Sequence, residues 1–125
     1  MTILDFTIIL IFHFIADFIL QDEDWAVNKS IDDDALLKHT ITYSIVWYIP
    51  MIFMLGIWKS ALFVTITFIL HTLTDYITSR IVSKKFQNKE YGSSIPNFGA
   101  FTIIGFDQLI HYITLVYTFK LISLL

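Results

Sequence analysis

Residues 58–79 read WKSALFVTITFILHTLTDYITS, an almost uninterrupted apolar run with His71 and Asp75 near its end. A run of this length can cross the apolar core of a bilayer as a helix, which takes about 20 residues. An imidazole or carboxylate inside such a run is costly in lipid, so it normally faces the protein interior and marks a site. The segment therefore predicts a membrane-spanning helix with a functional face.

Three other segments have the same character and predict three more spanning helices. They cover about residues 2–20, 35–55 and 101–125. Continuous apolar runs favour helices over the alternating strands of membrane barrels. The composition agrees, since 56% of the residues are hydrophobic and only 15% are charged, against about a quarter in soluble domains. We predict an all-α, polytopic membrane protein in which residues 1–125 form one domain, an antiparallel bundle of four transmembrane helices.

Two features refine the second run. Asp32, Asp33 and Asp34 precede it, and their carboxylates suit the N-terminus of a helix. Pro50 is expected to kink the helix near its end.

The basic residues predict the orientation. Those on the side of the two longer connections, residues 21–34 and 80–100, are Lys29, Lys38, Arg80, Lys84, Lys85 and Lys89. Only Lys59 and Lys120 fall on the other side. Because lysine and arginine concentrate in cytoplasmic loops, we expect both connections in the cytoplasm and both termini outside.

All four histidines lie in apolar segments, and three of them are four residues from an aspartate. The pairs are His13–Asp17, His71–Asp75 and Asp107–His111, and the fourth histidine, His39, opens the second run. A spacing of four places both side chains on one helix face. At a rise of 1.5 Å per residue, all seven fall in a layer roughly 5–15 Å below the cytoplasmic surface. The sequence therefore predicts a single site.

Imidazoles and carboxylates that converge from several helices are typical of metal sites in bundle cores. The chain has no cysteine, which excludes thiolate ligands and cysteine nucleophiles. We predict one or two divalent transition-metal ions, with no basis for choosing among zinc, manganese and iron. The candidate ligands are His13, Asp17, His39, His71, Asp75, Asp107 and His111. Asp17, Asp75 and Asp107 are also the candidate catalytic bases.

Four polar residues near the predicted cytoplasmic opening of the site are candidates for substrate binding. They are Gln21, Gln108, Lys29 and Arg80. The amides can hydrogen-bond a ligand, and the basic side chains can attract an anionic headgroup or phosphate. For Arg80 the alternative is that it only fixes the topology.

Our first functional hypothesis is a metal-dependent hydrolase that acts on a lipid-linked or phosphorylated substrate at the cytoplasmic face. No serine or threonine has the context of an activated nucleophile, so attack by metal-bound water is the simpler chemistry. A proton- or metal-ion transporter or channel subunit would use the same residue types, and one small chain would then need a homo-oligomer. A non-catalytic membrane interaction module and a purely structural hydrogen-bond network are the other interpretations. Membrane lipid or a lipid-linked substrate is the expected partner, and no nucleic acid is expected.

The ordered motifs add a resemblance. They are HFIADFILQ (13–21), HTLTDY (71–76) and DQLIH (107–111), together with Trp25, Asn28, Lys29 and His39. In these motifs the chain resembles a domain-of-unknown-function family of short integral-membrane proteins of bacteria and their phages. It is more distantly similar to the membrane-bound metal-dependent hydrolases. The resemblance implies the bacterial cytoplasmic (inner) membrane, with a phage-encoded partner of a host protein as one form of the non-catalytic module.

Overall fold

The computed structural model describes residues 1–92 and 98–125, and every regular element within them is a helix. The elements in chain order are α1 (Ile3–Phe14), a π-helical segment (Ile15–Ile19), α2 (Glu23–Asn28), α3 (Asp33–Val46), α4 (Tyr48–Leu55), α5 (Ile57–Gln87) and α6 (Ala100–Ser123). The prediction of an all-α protein is confirmed.

The first apolar run, predicted as one helix over 2–20, changes its winding near the end. Thr2 caps α1 reciprocally with Asp5, because the threonine hydroxyl accepts from the Asp5 amide at 3.1 Å and the Asp5 carboxylate accepts from the Thr2 amide. After Phe14 the chain continues as a π-helix, a rare form that is often found at functional sites. This wider turn carries Asp17.

The second run, predicted as one helix over 35–55, is two helices. Asp32 caps α3 as expected, since its carboxylate accepts from the Asp34 amide at 2.9 Å. The predicted kink is a break at Trp47. Proline has no amide hydrogen and its ring collides with the carbonyl four residues earlier. For Pro50 that residue is Val46, where α3 ends.

The third helix is longer than predicted. It was expected over 58–79, but α5 extends through the basic residues Lys84 and Lys85 to Gln87. Just before α6, one backbone hydrogen bond joins two residues of the connection: the Gly99 amide donates to the Gly92 carbonyl at 2.7 Å. Ser93, Ser94 and Pro96, part of the predicted connection over residues 80–100, lie outside the described residues. The fourth helix, expected over 101–125, covers Ala100–Ser123.

Within residues 1–92 and 98–125, two helices, α5 and α6, are long and apolar enough to cross a membrane. The prediction from the runs was four, and the difference has a local cause. The first run is divided by the π-helical segment and the second by the break at Trp47, so no single helix in either is longer than the 14 residues of α3.

Helix α5 lies centrally and packs against α3, α4 and α6, while α1 packs against α6 and the π-helical segment against α3. The buried side chains are segregated along this axis. An apolar core fills the half nearer the chain termini and includes Ile9, Trp47, Phe63 and Phe119. The buried histidines and aspartates occupy the half nearer the two longer connections. This segregation positions the candidate site.

Candidate metal centre

The structure brings the seven predicted histidines and aspartates into one cluster. Six of them are at most 4% exposed: His13, Asp17, His39, His71, Asp75 and His111. The Asp107 side chain is 14% exposed. They come from α1, the π-helical segment, α3, α5 and α6. The shared layer expected from the sequence is therefore a contiguous cluster of side chains.

In two of the predicted pairs, closer contacts form between helices than within the pair. His13 Nε2 lies 3.8 Å from Asp17 Oδ2, and His71 Nε2 lies 3.7 Å from Asp75 Oδ2. By contrast, Asp75 lies 3.2 Å from His39 and 3.0 Å from His111. Spacing along the chain placed each pair on one face, but the helix rotations decided the partners.

Four atoms form what we call the central donor set: Asp17 Oδ1, His39 Nε2, His71 Nε2 and Asp75 Oδ2. His39 Nε2 lies 3.1 Å from His71 Nε2, 3.2 Å from Asp75 Oδ2 and 3.3 Å from Asp17 Oδ1. His71 Nε2 lies 3.7 Å from each of the two carboxylate oxygens. A tetrahedral zinc ion with bonds of about 2.0–2.1 Å separates its donors by roughly 3.3–3.4 Å. The five separations given above, 3.1–3.7 Å, are close to those around such an ion.

The central donor set crowds several ligand atoms around one ring nitrogen. Each imidazole nitrogen carries at most one hydrogen, and carboxylates only accept when ionised. His39 Nε2 nevertheless faces another imidazole nitrogen and two carboxylate oxygens at 3.1–3.3 Å. A cation among the four atoms would interact with all of them at once. Buried His/Asp groups in this protein can thus hold a metal ion, and Asp17, His39 and His71 form one such group.

A second group surrounds His111. Its Nε2 lies 3.0 Å from Asp75 Oδ1 and 3.3 Å from Asp107 Oδ2, and its Nδ1 lies 3.2 Å from His71 Nδ1. The Thr78 hydroxyl donates to the other Asp107 oxygen, Oδ1, at 2.5 Å. His71, Asp75 and His111 can also hold a metal ion.

His13 lies beside the central donor set and is engaged through both ring nitrogens. The Gln108 amide nitrogen donates to Asp17 Oδ2 at 2.9 Å and to Asp107 Oδ2 at 3.2 Å, so its oxygen is free to accept. That oxygen accepts from His13 Nε2 at 2.7 Å, which leaves His13 Nδ1 to accept from the Tyr43 hydroxyl at 2.7 Å. Both ring nitrogens of His13 are therefore engaged in hydrogen bonds, and through Gln108 His13 orients Asp17.

Replacing Gln108 with leucine is expected to weaken metal binding by about 10–100-fold, the usual effect of losing a partner that orients a ligand. The change removes the hydrogen bonds to two carboxylates and leaves His13 Nε2 without its acceptor. Competition with a fluorescent chelator measures the affinity. Thr114→Val is the matched control, because this α6 hydroxyl bonds only the carbonyl of its own helix. Unchanged affinity in Gln108→Leu would contradict the orienting role.

Lys29 reaches the cluster from the connection between α2 and α3. Its Nζ donates to Asp75 Oδ2 at 2.7 Å and lies 3.5 Å from His39 Nε2. Burial alone would lower the pKa of Lys29, but the Asp75 and Asp17 carboxylates outweigh it and raise the pKa above its ordinary value. Lys29 therefore places a permanent positive charge at the edge of the central donor set.

A cavity of about 500 Å³ opens above the cluster on the side of the longer connections. Asp17, Asp75 and Asp107 line its polar end, with Lys29 and Gln108 beside them. The apolar wall consists of Phe18, Ala26, Val27, Val82, Phe86 and Ile104. The cavity thus joins a charged floor to an apolar wall.

Comparison with known proteins shows the family. The chain matches the domain described as a protein of unknown function, DUF3307, over residues 6–125. It belongs to the DUF3307 family. No curated protein and no solved structure gives a significant match. The resemblance to an uncharacterised family is confirmed, and the chemistry of this DUF3307 protein has to be argued from its own residues.

The four predicted substrate-binding residues divide into two groups. Gln21, Gln108 and Lys29 line the cavity of the DUF3307 chain. Arg80 is not among its lining residues, since its guanidinium pairs with Asp33 Oδ1 at 2.6 Å and stacks on the Tyr76 ring. Its position agrees with the alternative that it only fixes the topology.

Two residues of the DUF3307 cluster lay outside the predicted set. Tyr43 stacks on the His71 ring with centroids 3.7 Å apart and donates to His13, and Thr78 holds Asp107. Each has a signal in the sequence, because Tyr43 follows His39 by four residues and Thr78 follows Asp75 by three. Such spacings share a helix face.

Proposed function

We propose that this protein is an integral-membrane, metal-dependent hydrolase with its site open to the cytoplasm. The observation that carries the proposal is the position of the central donor set, which has the spacing of a metal site and lies at the floor of a cavity of about 500 Å³. Largely apolar pockets with a few convergent polar groups are the usual form of an active site.

An inverted distribution of side chains supports the membrane location. The buried groups include four histidines and two aspartates, while large apolar side chains are exposed on every long helix. Phe53 is 86% exposed and Trp58 is 87% exposed. Water would make this surface unstable, whereas lipid accommodates it. We propose that the two divided runs and helices α5 and α6 form a bundle of four membrane segments with both termini outside, in the bacterial inner membrane.

The proposed reaction is the addition of water to an ester or phosphoester bond. A bound transition-metal ion would lower the pKa of a water molecule and polarise the scissile group. The water oxygen then forms a bond to the carbonyl carbon or phosphorus, and the bond to the leaving oxygen breaks. A carboxylate that lines the cavity, Asp17, Asp75 or Asp107, takes the water proton and returns it to the leaving group.

The cavity supports a lipid-linked or phosphorylated substrate. Its apolar wall, which includes Phe18, Val82 and Phe86, suits a lipid chain. The Lys29 ammonium lies at the charged floor, where an anionic headgroup would be attracted. These two surfaces together favour an amphiphile over a small water-soluble metabolite.

The apolar core favours hydrolysis over transport. Along their helices Ile9, Trp47, Phe63 and Leu115 all lie between the cluster and the chain termini, and each is at most 2% exposed. Buried hydroxyls such as Thr67 and Thr118 lie among them, but the cavity of about 500 Å³ lies on the side of the longer connections. A substrate cavity on that side suits an enzyme.

Metal analysis of the detergent-purified protein tests the proposal. We expect a stoichiometric transition metal and the loss of about one equivalent in His39→Ala, because loss of a ligand costs more than the roughly 10–100-fold loss expected for an orienting partner. The purified protein should also release headgroup or phosphate from lipid substrates in a metal-dependent assay. Protein that remains free of zinc, manganese and iron after reconstitution would contradict the proposal. Ion flux in proteoliposomes without hydrolysis would favour a transporter.

A further inference from the structure

We propose that the centre holds two ions bridged by the Asp75 carboxylate, the second one bound by His111 Nε2, Asp75 Oδ1 and Asp107 Oδ2. This inference rests on the proposed function, because the first ion is taken to occupy the central donor set. It assigns separate roles to the two ions.

The Asp75 carboxylate faces two donor groups with its two oxygens. Oδ2 lies 3.2 Å from His39 Nε2 in the central donor set, and Oδ1 lies 3.0 Å from His111 Nε2. The side chain is 2% exposed, and Lys29 also donates to Oδ2 at 2.7 Å. A carboxylate that binds one ion through each oxygen is the usual bridge in bundle di-metal sites.

The second group crowds its ring nitrogen in the same way as the first. His111 Nε2 carries at most one hydrogen but lies 3.0 Å and 3.3 Å from oxygens of Asp75 and Asp107. Thr78 occupies the other Asp107 oxygen, which turns Oδ2 toward His111. The Gln108 amide also donates to this Oδ2, as partners of metal-binding carboxylates commonly do. An ion among the three atoms would satisfy them together.

The two groups differ in the number of protein donors. The central set offers four and the second three, so the second ion has more room for water. Asp17, Asp75 and Asp107 line the cavity, so both ions would lie at its floor. The second ion is therefore assigned to presenting water to the substrate, while the first orients Asp75.

The charge balance then selects the substrate class. Two divalent ions and Lys29 outweigh the three carboxylates, so the loaded centre is cationic. With one ion the same groups are balanced. A cationic floor under an apolar wall fits an anionic phosphoester carried on a lipid, and two-metal sites with ions about 3.5–4 Å apart commonly serve phosphoester cleavage.

Manganese stoichiometry of the purified, reconstituted protein tests the inference. We expect two equivalents in the unchanged protein and one in Asp107→Asn. The electron paramagnetic resonance spectrum should change from that of a coupled pair to that of an isolated ion. Asp34→Asn is the matched control, since this exposed α3 carboxylate pairs with Lys38 at 2.6 Å, and it should retain two.

Thr78→Val provides a second variant that keeps every donor. It removes the hydroxyl that orients Asp107 and is expected to weaken the second equivalent alone by about 10–100-fold. If Asp107→Asn fails to fold, the manganese stoichiometry of Thr78→Val tests the second ion in its place. A single equivalent in the unchanged protein, unaffected by Thr78→Val or Asp107→Asn, would overturn the second ion and leave the proposed function standing. Absence of any bound metal would overturn both.

Discussion

Replacing Asp75 with asparagine is expected to abolish metal binding and, with it, all metal-dependent hydrolysis. Asp75 supplies an oxygen to the central donor set and another to His111. Asparagine keeps the size of the side chain but removes its charge and replaces one oxygen by an amide that cannot bind a cation. The affinity should fall by more than about 100-fold, beyond the range for orienting partners. Elemental analysis after dialysis against trace metal measures the loss.

The same substitution separates a metal centre from a structural network. In a structural network Asp75→Asn would mainly destabilise the fold, because Lys29 would lose its buried counter-charge. Circular dichroism in detergent therefore accompanies the metal analysis, and Asp34→Asn is again the control. Wild-type metal content in a folded Asp75→Asn protein would contradict the role given to this residue.

Replacing Trp47 with alanine is expected to lower the free energy of unfolding by about 3–5 kcal/mol, the usual cost of truncating a buried aromatic residue. Trp47 is fully buried where α3 breaks, and its ring lies 5.7 Å from that of Phe63 and 6.2 Å from that of Phe12. Its removal leaves a cavity between three helices. Equilibrium unfolding in mixed detergent and denaturant micelles gives the free energy.

Phe53→Ala is the matched control for Trp47→Ala. Phe53 is also aromatic and lies on α4, but it is 86% exposed. Its loss should change the free energy of unfolding by less than about 0.5 kcal/mol. Equal costs for the two substitutions would mean that the core described for Trp47 is not what stabilises the fold. Folded Trp47→Ala protein should still bind metal, since no atom of Trp47 belongs to either donor group.

The helices and the layer of ionisable residues could be predicted because both depend on local pattern. An apolar run fixes a helix, and a spacing of four fixes a face, whatever the remainder of the chain does. His39, which has no aspartate four residues away, was placed in the layer by depth alone and lies within the central donor set.

The partners within the layer could not be predicted because they depend on how far each helix is rotated. Asp75 was paired with His71 in the sequence, yet it is closer to His39 and His111 from neighbouring helices. The approach of Lys29 depends on the path of a connection, which hydropathy does not encode. The sequence predicts only a kink at Pro50, whereas in the structure α3 ends at Val46 and a new helix begins at Tyr48.

The π-helical segment gives the chain between His13 and Asp17 a fixed length. A π turn equals an α-helical turn with one residue inserted, so deletion of a residue between His13 and Asp17 would restore regular winding and bring Asp17 one position nearer to His13. His13 would keep its bonds to Tyr43 and Gln108, but the carboxylate of Asp17 would move relative to His39. Evolution can therefore lengthen the loop after Leu20 at little cost, while the eight residues 13–20 tolerate substitution but not insertion or deletion.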